Sequence, residues 1–243
     1  LAGLALEHKG IFFPQAGWLS PQQFCQQALQ FLLQQRNFRV SFNTRVTSLV
    51  RQGSGWLLHT EKGDISTDSV VLATGKAINR FSQTQFLPLN KIRGQVTHIT
   101  QRAMTELKTV LCHKGYITPA WQGVHCVGAT FDRNADAADV KPEDDVENLQ
   151  LVNDQLSEPA WFADSEVVGA AAAFRATLPD HLPLAGAVPN ETNLFLLGAM
   201  GARGILLSPL LAEQLACQIC QEPLPLSQQL INKLLPARFN SVG

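Results

Sequence analysis

Asn193-Leu-Phe-Leu-Leu-Gly198-Ala-Met-Gly201-Ala-Arg203-Gly204-Ile205 joins a short, wholly apolar run to three spaced glycines and then to a helical pattern that continues to Cys220. Because every residue of Leu194–Leu197 is apolar, rather than every second one, the run predicts a strand covered on both faces, as in a parallel sheet. Glycines between such a strand and a helix let the backbone approach a ligand closely. The free N–H groups and the positive end of the helix dipole at that point favour an anionic or electron-rich group. Glycine turns of this kind also serve as packing devices, so the motif taken singly leaves both readings open.

Asp68-Ser-Val-Val-Leu-Ala-Thr74-Gly75 has the same character and predicts a second buried strand, expected in the middle of an α/β layer. Ligands on open α/β sheets sit at the carboxyl ends of the strands, so Thr74-Gly75 and Gly198–Ile205 are expected to face one cofactor. Ser20-Pro21 supplies an N-cap and a first-turn proline, and Phe24, Ala28, Phe31 and Leu32 recur at helical spacing to about Gln35. Gly10–Pro14, Phe38–Phe42, Val46–Arg51 and Trp56–Thr60 read as strands, the last two joined at Gly53-Ser54-Gly55. From Leu89 to Thr130 the pattern gives an antiparallel series: Ile92–Thr100, Val110–His113, Tyr116–Pro119 and Val124–Ala129. A loop at Lys141-Pro-Glu-Asp144 leads into a helix over Val146–Leu156, and Val167–Thr177 reads as a further strand. The fold class expected is α/β of mixed α+β character.

Hydrophobic residues form 45% of the 243 and charged residues only 16%, which predicts an ordered core and excludes long disorder. The formal net charge of -1 gives no global attraction for a polyanion. No apolar run reaches the roughly 18 to 20 residues of a spanning helix, and no secretory leader opens the chain. An odd set of cysteines, five in all and scattered through apolar segments, suits reduced thiols and a cytoplasmic setting. The opening at Leu1, mid-pattern and without methionine, reads as a cut with a piece expected upstream. The six histidines show no metal spacing and no nucleophile motif, so neither a metal site nor a hydrolase triad is assigned.

Four further groups could carry chemistry. Lys91-Ile-Arg93-Gly94-Gln95 opens an otherwise apolar strand, so Arg93 meets either a cofactor or substrate anion or the solvent at a strand edge. Arg175 interrupts the apolar run into Phe174-Arg-Ala-Thr177; an arginine there needs a carboxylate, from a substrate or from a protein partner such as Asp180 or Glu166. Tyr116, the only tyrosine, could orient a substrate or sit in the core with a satisfied hydroxyl. Cys217-Gln-Ile-Cys220 has redox spacing but lies within a helix and lacks a second pair, which favours inert thiols.

In their order along the chain, Phe12-Phe-Pro14, Gly17-Trp-Leu-Ser-Pro21, Val70–Gly75, Arg93-Gly-Gln95, Phe174–Thr177 and Gly198–Pro209 resemble the motifs of the D-amino-acid-oxidase and glycine-oxidase superfamily. Gly115-Tyr-Ile-Thr-Pro119, Val127–Asp132, Glu147-Asn-Leu149, Met200–Gly204, Glu222–Leu226 and Pro236–Phe239 are more specifically similar to the flavin domain of the bifunctional tRNA 5-methylaminomethyl-2-thiouridine biosynthesis family. The resemblance implies FAD-dependent removal of the carboxymethyl group from 5-carboxymethylaminomethyl-uridine at the tRNA wobble position. The implied partners are the tRNA anticodon loop and an upstream half of the same polypeptide that includes an S-adenosylmethionine-dependent methyltransferase domain. It also implies that Arg175 clamps the substrate carboxylate with Tyr116 and Arg93 at the catalytic centre, that Gly201, Arg203, Gly204 and Ile205 contact the flavin ring, and that Gly198 and Met200 bind the cofactor. Val46, Thr74, Gly75, Arg93, Gly94 and Gln95 complete the implied cofactor contacts. The G-x-G-x-x-G fingerprint of the family is absent from these residues. The domains expected are therefore an incomplete Rossmann-like FAD-binding layer (18–85 and 178–222), interleaved with an antiparallel substrate sheet (1–17 and 86–177), and a C-terminal tail (223–243). Oxidation of free glycine or sarcosine, and a non-catalytic fragment that holds no flavin, are the alternatives.

Overall fold

The computed structural model describes residues 1–101, 107–157 and 165–240. Parts of the expected 86–177 segment and of the 223–243 tail fall on 102–106, 158–164 and 241–243 and lie outside the described residues. In chain order the elements are α1 (Pro21–Leu33), β1 (Val46–Gln52), β2 (Gly55–Thr60), β3 (Ile65–Thr67), β4 (Val70–Leu72), β5 (Asn90–Thr100), β6 (Leu111–Cys112), β7 (Tyr116–Ile117), β8 (His125–Gly128), α2 (Pro142–Asn153), β9 (Glu166–Thr177), β10 (Leu184–Ala187), β11 (Leu194–Gly198), α3 (Gly204–Cys220) and α4 (Gln228–Leu234). They fall into two compact units, Leu1–Phe24 with Ile92–Phe174, and Cys25–Lys91 with Arg175–Gly243. The divisions between them lie at 24/25, 91/92 and 174/175, and the described residues after 222, with α4, group with the second unit.

In the first unit a sheet of order β6-β7-β8-β5-β9 carries α2, and Ile99, Ile117, Val127, Val152 and Leu156 form its core. α2 starts at Pro142, four residues before the sequence expectation. Proline at the first helical position and Glu143, Asp144 and Asp145 in the first turn are helix-start signals that also read as a polar loop. Asp144 and Asp145 have buried partners. The Arg93 side chain, 0% exposed, donates from Nη1 to Asp144, from Nε and Nη2 to the Asp139 carbonyl and from Nη2 to Gln95 Oε1. Gln95 Nε2 donates to Asp145 Oδ1 (2.8 Å) and to the Lys141 carbonyl (2.8 Å), and Thr97 Oγ1 donates to Asp145 Oδ1 (2.6 Å). Asn148 Nδ2 donates to the Gln95 carbonyl and to Thr97 Oγ1. The Arg93-Gly94-Gln95 motif therefore clamps the start of α2 to β5, and Arg93 is neither at a solvated strand edge nor open to an outside anion.

The second unit holds the meander β1-β2-β3 and a sheet of order β10-β11-β4. β11 runs parallel to β4, with Leu194 opposite Val70 and Leu196 opposite Leu72, and antiparallel to β10. Leu49, Trp56, Leu72, Ile78, Leu184, Leu194 and Leu196 pack into one core, which joins the meander to this sheet. Each such side chain contributes about 1.5 to 3 kcal/mol on burial. β10 is covered by α3 and α4, and Ala185, Leu211 and Leu234 form a smaller cluster there.

Four expectations are corrected. β4 lies at the edge of its sheet and not in the middle, and Val71 is 43% exposed, since among the described residues no strand pairs along its outer side. Phe38–Phe42 and Gly10–Pro14 form no strand, because an apolar alternation becomes a strand only where a neighbour completes the hydrogen-bond ladder. Phe42 is consequently 63% exposed and Ile11 84%. α1 ends at Leu33, short of Gln35, and contains no buried residue.

Removing the Asp144 carboxylate leaves the Arg93 charge buried and unpaired. Asp144→Ala should lower the unfolding free energy in urea by about 3 to 5 kcal/mol; a loss under about 1 kcal/mol would mean the clamp contributes little.

Candidate functional site

The parallel register of β4 and β11 brings their carboxyl ends to the same end of one sheet, so Thr74-Gly75 and the turn after Gly198 lie side by side. β4 leads through Thr74 into a 3-10 turn over Gly75–Arg80 that opens at Gly75 with φ +57°. β11 leads into Ala199 (φ 54°), Met200 and Gly201 (φ 58°), then a 3-10 turn over Gly201–Arg203, then α3 from Gly204. Two left-handed residues within three positions fold the chain sharply over the strand end, which is where the helix N–H groups emerge. The Arg203 guanidinium, exposed, donates from Nη2 to the His181 carbonyl at 3.0 Å and so ties the turn to the loop before β10.

The glycines have separate tasks. A Cβ on Gly198 would lie 2.4 Å from Cδ1 of Ile78, which is completely buried, so this glycine makes room for a core side chain. A Cβ on Gly201 would lie 3.3 Å from Cγ2 of Thr177. At Gly75 and Gly204 a Cβ would meet nothing within 4 Å, so both turns border open space. Thr177 ends β9, and side chains two apart on a strand share a face. Arg175, half-buried, therefore lies on the face of β9 that meets the glycine turn, about 7 Å along the strand from Thr177, whereas Ala176 on the other face is buried.

Of the residues singled out in the sequence, Thr74, Gly75, Arg175, Gly198, Met200, Gly201, Arg203, Gly204 and Ile205 fall in the second unit, and Val46, at the start of β1, packs against its core. Arg93, Gly94, Gln95 and Tyr116 fall in the first unit. The Tyr116 hydroxyl lies 3.9 Å from Cys126 Sγ, and its ring packs on Gly128, where a Cβ would come within 3.1 Å of the hydroxyl oxygen. Burial, and then the carboxylates of Glu222 and Glu213, push the Cys217 thiol up, so the Cys217–Cys220 spacing does not make a ready thiolate.

Thr177 was not singled out for contact with the turn, though the two-residue strand period from Arg175 points to it. Ala199 carries no sequence mark of its left-handed backbone, since alanine rarely adopts it. Open space beside Gly75 and Gly204 suits the flat ring of a flavin, which gathers negative charge on reduction, held by backbone rather than side chains. Among these residues nothing matches the glycine fingerprint that would hold the diphosphate, so the fit covers one end of the cofactor.

A family model described as "FAD dependent oxidoreductase" (DAO) matches residues 2–218. The chain belongs to this family. Among curated relatives, the tRNA 5-methylaminomethyl-2-thiouridine biosynthesis bifunctional protein MnmC of Shewanella baltica is 32% identical over 98% of the chain, and that of Aeromonas hydrophila 33% identical over 98%. The chain spans about two fifths of their length, 38% and 40% respectively. Among solved structures, glycine oxidase from Geobacillus kaustophilus superposes with a TM-score of 0.68 at 22% identity, over 77% of this chain and 51% of that one. Iminodiacetate oxidase from Chelativorans gives 0.67 at 20% identity, over 78% and 52%. The fold is that of these FAD-family oxidases, and FAD is the family's cofactor.

Because a Cβ at Gly204 meets no protein atom, Gly204→Val should fold with unchanged stability and yet, in the flavin-loaded protein, lower flavin content by more than tenfold. Wild-type flavin content in that variant contradicts the close backbone approach. Gly198→Ala should instead cost about 1 to 3 kcal/mol of stability through displacement of Ile78; an unfolding midpoint equal to that of the wild type contradicts the packing role.

Proposed function

We propose that this chain is the oxidase portion of a tRNA-modifying enzyme that removes the carboxymethyl group from 5-carboxymethylaminomethyl-(2-thio)uridine at the wobble position and leaves the aminomethyl form. The observation that carries this reading is the pair of parallel strand ends, Thr74-Gly75 and Gly198–Ile205, with Arg175 on the strand face that meets them. Similarity over nearly the whole chain to proteins named for 5-methylaminomethyl-2-thiouridine biosynthesis supports the substrate class.

Gly75, Gly201, Gly204 and Ile205 would hold the ring end of FAD, with Met200 and Arg203 shaping the turn, and Val46 and Thr74 further along the cofactor. When bound, FAD supplies an acceptor for the hydride equivalent on the carbon beside the substrate's secondary amine. Everything else falls to this chain. Arg175 pairs with the substrate carboxylate and fixes which carbon is presented. Buried Ala176, on the opposite face of β9, anchors the strand that carries Arg175. Water then hydrolyses the oxidised C–N bond, releasing the aminomethyl nucleoside and a two-carbon oxo acid.

The edge position of β4 among the described residues and the lack of any buried residue in α1 favour a site completed by a further part of the polypeptide, since the chain spans only about two fifths of the length of the relatives. A parallel strand placed along Val70–Leu72 would supply the missing ladder and cover Val71. On this reading the methyltransferase domain of the complete protein acts on the amine that the oxidase exposes.

In the complete, flavin-loaded enzyme, Arg175→Ala should reduce kcat/KM for the carboxymethylaminomethyl substrate roughly 10- to 150-fold, the equivalent of about 1.5 to 3 kcal/mol for a charged hydrogen bond. Arg175→Lys should recover part of it. An unchanged kcat/KM in the alanine variant removes Arg175 from the carboxylate.

A further inference from the structure

The net charge of -1 conceals a sharp partition. Residues 25–91 carry eight Lys and Arg against three Asp and Glu, a net of +5, whereas residues 92–174 carry six against twelve, a net of -6; residues 1–24 and 175–243 are each neutral. The partition follows the two units, so the second unit is basic and the first acidic. All eight cations of the basic segment, Arg36, Arg39, Arg45, Arg51, Lys62, Lys76, Arg80 and Lys91, are exposed. In the acidic unit Arg93 is buried against Asp144 and adds nothing to the surface.

Within the basic segment the open end of the meander gathers several of these charges. β1 and β2 close there at Val46 opposite Thr60. Lys62 Nζ donates to the Phe42 carbonyl at 3.0 Å, which holds it beside Arg45 and three residues of chain from Arg39. The acids at this end are engaged. Glu61 lies 3.7 Å from Arg45 Nε in a pair whose two side chains are both exposed, so solvent screens it and a phosphate can compete for Arg45, and Asp64 Oδ1 lies 2.9 Å from His59 Nδ1. Arg51, at the turn end of the meander, is committed to the Trp56 ring and to the Gly53 and Thr192 carbonyls. Exposed cations gathered at a sheet end and in the chain that leads to it are the footprint of phosphate-backbone binding.

We propose that the open end of the β1–β3 meander, through Arg39, Arg45 and Lys62, is the surface on which RNA backbone docks, and that the acidic β5–β9 unit is not. This deepens the tRNA reading above and rests on it for the choice of RNA. A membrane surface is disfavoured because α1, the helix with an exposed apolar face, contains no lysine or arginine to face anionic headgroups. The docking is electrostatic and sequence-tolerant, so the surface supplies affinity and leaves base selection to the catalytic pocket.

The test is fluorescence anisotropy of a labelled tRNA titrated with this chain across a range of salt, with no flavin needed. The triple variant Arg39→Glu, Arg45→Glu, Lys62→Glu should weaken binding by about tenfold or more near 0.1 M salt and lower the slope of log K against log salt by about 2 to 3. Lys108→Glu with Lys114→Glu, on the acidic unit, should leave both within twofold. Equal effects in the two variants, or no binding of tRNA by the wild-type chain at low salt, overturn the proposal, as does tighter binding to phosphatidylserine vesicles than to tRNA. Should the triple variant not fold, acetylation of the wild-type chain decides instead: tRNA should protect Lys62 and not Lys108 or Lys114. Equal labelling of all three with and without tRNA overturns it. Because both readouts are independent of flavin, a failed oxidase activity leaves this result standing, and the reverse holds as well.

Discussion

Two short strands that run the same way fix the architecture of the second unit. Val70–Leu72 and Leu194–Leu196 are separated by more than 120 residues of sequence yet pair in parallel, and only that register sets the ends of β4 and β11 side by side. Their facing leucines, with Ile78, Trp56 and Leu184, exclude water from the pair, and Gly198 permits it because a larger residue would displace Ile78. Once the strands are in register, the two turns have no choice but to open toward the same space. Backbone left bare by glycine, together with the start of a 17-residue helix, then makes a surface suited to a flat ring that gathers negative charge on reduction.

The first unit solves a different problem, the burial of charge. Arg93 at full burial would be costly without partners, and Asp144, the Asp139 carbonyl and Gln95 together supply them. Asp145, Thr97 and Asn148 extend the network, so that the first turn of α2 is held to β5 by polar contacts while Val152 and Leu156 hold the rest by packing. Such a network specifies one register of helix on sheet more strictly than apolar contact alone.

Much of this was legible in the residues. Continuous apolarity marked both parallel strands, and Gly53-Ser54-Gly55 marked the hairpin turn. The antiparallel series from Ile92 onward matched in order, although β6 and β7 are only two residues each. Legibility failed where a local pattern depends on a distant partner. Phe38-Arg-Val-Ser-Phe42 alternates as a strand should, but alternation describes the faces a strand would have and not the neighbour it needs. Arg93 was ambiguous for the same reason: its carboxylate lies 51 residues away, in a turn whose proline and acids read equally well as a loop. At the candidate site the glycines were visible as motif, but their division into packing (Gly198), backbone conformation (Gly75, Gly201) and open approach (Gly204) required the neighbours in space.

The central claim is that the paired strand ends form one end of a flavin site that an upstream part of the polypeptide completes. Its most direct test is the visible absorption spectrum after gel filtration and incubation with FAD, recorded for this chain alone and for the chain joined to its upstream segment. The account predicts flavin bands that co-elute with the joined protein and are weak or absent for the chain alone. A joined protein that folds, elutes as one species and remains colourless in the presence of FAD would contradict it.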